Sequence, residues 1–116
     1  MSIGVELDEL REQIKAFPGD AFFVTVSDDG RPHTVAVRPQ WDGDELVLSA
    51  GRTSRSNAQA RALVALLWPP PAPGEYSLIV DATVAHVASD VVRVQPTRAV
   101  LHRPAPGGGN DCATVL

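Results

Sequence analysis

The chain has one cysteine, Cys112, in 116 residues. A lone thiol excludes an intramolecular disulfide framework and suits a reducing, cytoplasmic setting. Basic charge is also short: ten Lys and Arg stand against fourteen Asp and Glu, for a formal net charge of −4. Aromatic residues make up 5% of the chain. A nucleic-acid binder usually shows a basic domain or face with aromatics interleaved, so neither DNA nor RNA is expected as a partner. No apolar run approaches the ~18–20 residues of a membrane-spanning helix. The stretch Met1 to Lys15 is acidic and amphipathic and lacks the apolar segment of a signal peptide. The three histidines lie far apart and none clusters with Cys112, so no metal-ligand spacing exists. Gly-x-Ser-x-Gly, His-Glu-x-x-His and Walker-type glycine loops are all missing, and no nucleophile–base–acid set emerges. What remains is ordinary globular composition, 44% hydrophobic and 21% charged, in a length that makes one domain.

Periodicity predicts a first helix over Val5 to Phe17, ended by Pro18-Gly19. Ala21 to Ser27 reads as a strand, Asp28-Asp29-Gly30 as a hairpin turn, and Arg31 to Gln40 as the partner strand, ending near Pro39. Asp42-Gly43-Asp44 turns the chain into a strand at Glu45 to Ala50. After a proline-rich loop from Pro69 to Gly74, Tyr76 to Val87 and Val91 to His102 form a long hairpin. The sum is six strands and two helices joined by short connections, which favours an antiparallel barrel or sandwich. The domain spans residues 1–103, and residues 104–116 read as a flexible tail.

Leu46 to Trp68 is the informative stretch. It reads as strand, basic loop from Gly51 to Asn57, short helix from Ala58 to Ala62, and strand. Thr53 or Ser54 can cap the helix. Arg52 and Arg55 then sit at a helix N-terminus, where cations are disfavoured unless an anion lies between them. A phosphate is the natural candidate, because free N–H groups, the helix dipole and guanidinium forks all favour it. Elsewhere, His33 is expected at an exposed strand end, with a ring or phosphate contact as the alternative. His86 is expected in the core or an interface, His102 at the surface or in the site of a dimer, and Asp81 in a pair with Arg93 or Arg98. Trp41 and Trp68 read as core or interface anchors.

The order of these segments resembles the pyridoxamine 5′-phosphate oxidase-like superfamily of flavin-binding split β-barrels, which includes deazaflavin (coenzyme F-420) reductases. The matching positions are Gly30-Arg31-Pro32-His33, Pro39 and Trp41, Ser49 to Asn57, and the strand Leu63 to Trp68. The resemblance implies a mainly β fold, a six-stranded antiparallel split β-barrel, in a homodimer with cofactor sites at the subunit interface. It implies a phosphate clamp of Ser49, Arg52, Thr53, Ser54, Arg55 and Asn57. It also implies that Thr34, Val35, Ala36 and Val37 lie along the isoalloxazine ring, with Arg38 reaching a phosphate or a substrate carboxylate. No side chain is assigned a catalytic role, because in such proteins the cofactor carries the hydride chemistry. The implied cofactor is FMN, with coenzyme F-420 as the alternative, and the implied activity is hydride transfer to or from a small organic substrate. The rival class is a non-catalytic module of the same fold holding another ligand, such as haem or a nucleotide. The resemblance does not extend to the C-terminal segment with which pyridoxamine-phosphate oxidases proper hold their substrate, so that named activity is not expected.

Overall fold

The computed structural model of the protein describes residues 1–105. Eight strands and two helices follow in the order β1 Ser2–Val5, a 3-10 turn Leu7–Glu9, α1 Leu10–Ile14, β2 Ala21–Val26, β3 Pro32–Val37, β4 Gln40–Asp42, β5 Glu45–Ser49, α2 Arg52–Ala60, β6 Leu63–Trp68, β7 Ser77–Ala88 and β8 Val91–His102. All pairings are antiparallel, in one sheet of order β3-β2-β6-β7-β8-β5-β4. The sheet curls into a half-barrel, the split-barrel architecture. Its longest strands, β7 and β8, form the spine. The second edge of β8 is shared: β5 pairs with Val91 to Val94, and β1 pairs with Ala99 to His102.

Two strands exceed the six expected. The segment before α1 is extended and lies on β8, so the helix predicted from Val5 is shortened to a 3-10 turn and one α-helical stretch. β-branched and small residues (Ile3, Gly4, Val5) and an unpaired edge of β8 outweigh the helical spacing there. β4 is separate from β3 because Arg38-Pro39 interrupts the ladder, and proline has no N–H to give it. The two tight turns use glycine as expected, Gly30 at φ 82° and Gly43 at φ 63°. The tail from residue 106 onward, Cys112 included, lies outside the described residues.

The core is one inner layer of alternate strand residues. A continuous row crosses the sheet from Val35 through Phe23, Leu66 and Val80 to Ala99, each directly opposite the next; all but the half-buried Val35 are buried. Trp68 is in this core at 3% exposure. Trp41 is half-buried, with the Arg11 guanidinium 4.6 Å from its ring centroid. Arg11 also donates to the Gly43 carbonyl, so one side chain docks α1 on the β4–β5 turn. Arg93 ties β8 to the same hairpin through Asp42 at 2.7 Å and Glu45 at 3.5 Å. The hydrogen bond to Asp42 raises its pKa above the ordinary value, with desolvation opposing. Asp81 pairs with Arg98 at 3.8 Å, one of its two expected partners. His86 is exposed rather than in the core, and His102 is an exposed strand-end residue whose Nδ1 bonds Ser2 Oγ at 3.0 Å.

α2 begins six residues earlier than the expected helix, and its buried face is Ser54, Asn57 and Ala58. This stripe has helical spacing with a single methyl, that of Ala58, as its apolar side chain, so hydrophobic periodicity does not reveal it. The face is held by polar bonds instead. Asn57 Nδ2 donates to Thr25 Oγ1 at 3.1 Å and to Ser27 Oγ at 3.2 Å. Past the helix end, Arg61 Nε donates to the Val26 carbonyl and Nη2 to Asp28, both at 2.7 Å. Replacing Asn57 with Ala removes one buried and one part-buried hydrogen bond and strands the Thr25 hydroxyl. Asn57→Ala should cost about 1–3 kcal/mol of stability by urea unfolding, whereas an exposed loop position would change it by less than about 0.5 kcal/mol.

Candidate functional site

β3 is the first strand of the sheet order and β5 lies near the opposite end. The curl brings the β3 face toward the end of β5 and the start of α2, leaving a cleft of about 280 Å³. One wall is β3, with His33, Val35, Ala36 and Val37; the other is the β5–α2 junction, with Ser49, Ala50, Gly51, Arg52, Thr53 and Ser54.

The junction is chemically unusual. Gly51 is the residue before the helix, extended at φ −73° and ψ 176°, and no side chain caps the first turn. Neither Thr53 nor Ser54 is the cap, because both lie inside the helix. The first turn has no acidic residue and contains Arg52 and Arg55. Uncapped N–H groups, the positive end of the helix dipole and Arg52 therefore point to an anion at this place. Ser54 is 1% exposed and lines the cleft. The donor set of hydroxyls, backbone N–H groups and a guanidinium is what a phosphoryl group requires.

Of the residues expected to hold a cofactor, the cleft gathers Val35, Ala36, Val37, Ser49, Arg52, Thr53 and Ser54. Four others lie outside its lining. Thr34 is exposed and stands opposite Val24; it shares the outer face of β3 with Ala36, and of the two Ala36 lines the cleft. Arg38 is paired with Asp20 and its side chain is 83% exposed. Arg55 donates to the Ala50 carbonyl at 3.0 Å, bracing the junction from behind. Asn57 is 6% exposed and committed to Thr25 and Ser27. The cleft adds His33, Ala50 and Gly51. The alternation His33, Val35, Val37 along β3 was the available signal for His33, since these three share one face.

No protein-family model matches the chain. The protein Mb0449c of Mycobacterium bovis, itself uncharacterized, is 42% identical over 118 residues, covering 87% of this chain and 82% of that one. Among solved structures, an F-420 reductase superposes with a TM-score of 0.63 at 21% identity, covering 76% of this chain and 94% of its own. A candidate pyridoxamine 5′-phosphate oxidase of Listeria innocua gives 0.64 at 14% identity, over 83% and 98%. An FAD-binding protein of Mycobacterium smegmatis gives 0.62 at 16%, over 89% and 100%, and the haem-storage protein HutZ of Vibrio cholerae gives 0.60 at 14%, over 83% and 94%. At these identities the likeness to the solved structures is one of fold.

Gly51 allows a direct test of the anion site. A Cβ there meets nothing within 4 Å, and its backbone angles suit any residue. Gly51→Asp places a carboxylate where the anion would sit and caps the helix. It should stabilise the fold by about 0.3–1 kcal/mol while weakening binding of inorganic phosphate. Thermal unfolding and phosphate titration read the two effects, and unchanged phosphate affinity would remove the junction as the binding place.

Proposed function

Because the chain belongs to the same family as the mycobacterial protein Mb0449c and has the split-barrel fold of pyridoxamine 5′-phosphate oxidase-like proteins, we propose that it is a phosphorylated-flavin-binding oxidoreductase. FMN is the first choice of cofactor. The observation that carries this reading is the pairing, in one cleft, of an uncapped cationic helix terminus with an apolar strand wall. A flavin phosphate has a dianion at one end and a flat, largely apolar ring at the other.

Ser49, Arg52, Thr53 and Ser54 would hold the phosphate, and Val35, Ala36 and Val37 would line the ring. Arg55 keeps the junction in shape through Ala50. The bound flavin supplies the hydride chemistry. The protein's own part is to fix the ring against β3 and to keep water from its face. The substrate is a small organic molecule, and the setting is the cytoplasm. Coenzyme F-420 is the second choice, favoured by the likeness to an F-420 reductase.

The functional unit is a homodimer. A cleft of about 280 Å³ falls at the low limit of the ~300–1,000 Å³ that enclose a drug-sized ligand, so one chain leaves much of a flavin uncovered. A second apolar row supplies the surface for a partner. Ala36, Phe22, Leu67, Ile79 and Val100 lie opposite one another across five strands on the outer face. Leu63 on the same face is 77% exposed. Since Ala36 belongs to both the outer row and the cleft, a copy seated on this face would reach the ring's edge.

Titration of the full-length apo-protein with FMN, and separately with F-420, should give saturable fluorescence quenching with one of them. Arg52→Ala should weaken that binding by about tenfold or more, the loss of a charge-assisted contact. Binding of neither would leave a non-catalytic module of the same fold. In sedimentation velocity the wild type should run as a dimer and Leu63→Asp should shift it toward monomer; a wild-type monomer at all concentrations would refute the shared site.

A further inference from the structure

His33 stands opposite Thr25 in the β2–β3 pair, so both share the inner face. Thr25 Oγ1 accepts from Asn57 of α2. Ser54 precedes Asn57 by three residues on the same buried stripe of that helix. His33 is therefore placed at the end of the β3 wall nearest α2, while Val37, opposite Ala21, is four residues away, or about 13 Å at strand rise. The β3 wall is thus graded. Its inner row runs from one polar side chain, His33, to Val35 and Val37.

His33 is half-buried, lines the cleft and makes no side-chain hydrogen bond among the described residues. An imidazole offers a ring N–H donor in every protonation state. We propose that His33 is a specificity-determining residue of the cleft. It donates a hydrogen bond to the phosphoryl group held at the start of α2, from the wall opposite Arg52, Thr53 and Ser54. The site then grips a phosphoryl group from two elements, β3 and α2, and favours phosphorylated over unphosphorylated forms of the same ligand. This rests on the phosphoryl site argued above and adds a residue and a selectivity to it. The competing role is contact with the ring, which would act on both forms alike.

The test uses the full-length protein with FMN, riboflavin and inorganic phosphate as probes. His33→Phe keeps an aromatic ring but removes the donor, and His33→Gln keeps a neutral donor; thermal midpoints check that both fold. His33→Phe should weaken FMN and phosphate binding by about tenfold and leave riboflavin affinity within about twofold, with His33→Gln recovering most of the loss. Equal losses for FMN and riboflavin would assign His33 to the ring and overturn the proposal, as would unchanged phosphate binding. Phosphate binding that depends on His33 in a protein that takes neither FMN nor F-420 would refute the flavin reading and sustain this one. A wild type that binds no phosphate by ³¹P NMR refutes both the clamp and the role of His33.

Discussion

Two hydrogen bonds from one buried amide, Asn57 to Thr25 and Ser27, fix the relation between α2 and the sheet. A helix that buries serine, asparagine and alanine gains little from hydrophobic transfer. Directional bonds must therefore set its angle and register. Arg61 extends the hold to the Val26 carbonyl and Asp28 at the hairpin. The walls of the cleft belong to α2 and β3, and β3 is paired along its whole length with β2. Fixing α2 on β2 therefore fixes the distance between the walls. Asn57, which the resemblance placed in the phosphate clamp, holds the walls of the cleft in place.

The same helix leaves its other end unfinished. A serine or aspartate at position 51 would cap the first turn, and the backbone there would accept either. The chain instead has glycine, followed by an arginine. Such an end is weaker as structure and better as a receptor, the common direction of exchange between stability and function. Arg55 illustrates the division of labour. Its guanidinium is bound to the Ala50 carbonyl, so it adds charge to the junction and holds its shape, while Arg52 is left exposed. In a chain of net charge −4, this places a local positive potential that would orient an anionic ligand during its approach.

The strands and turns were legible where the physics is local. β6 has its predicted bounds, β2 differs by one residue, and Gly30 and Gly43 occupy their turns. β1 was not legible because its reason for existing is the free edge of β8, about a hundred residues away in the chain. α2 was not legible from residue 52 because its buried face is polar, so periodicity is silent and the loop reading prevailed. The seven expected residues that the cleft gathers come from the strand end, the helix start and β3. Arg38 lies outside it in an ion pair with Asp20, and Asn57 is committed to a partner 32 residues earlier. Contacts of that range carry no signal in a single sequence. The alternation that places His33 on one face with Val35 and Val37 was available in the sequence.

The sheet has two apolar rows offset by one residue, and they have different fates. Val35, Phe23, Leu66, Val80 and Ala99 close the half-barrel interior. Ala36, Phe22, Leu67, Ile79 and Val100 face outward at partial exposure. A half-barrel differs from a closed one in that its inner row does not exhaust the apolar side chains of its strands. Both rows end on β3, at Val35 and Ala36, the two neighbours that line the cleft. The cleft therefore sits where interior packing, the uncapped start of α2 and the outer apolar row converge. Covering the outer row changes the surroundings of the cleft directly, through one strand, without any conformational relay. A ligand in the cleft and a neighbour on the sheet would stabilise each other by sharing β3, which is mutual linkage between binding and association.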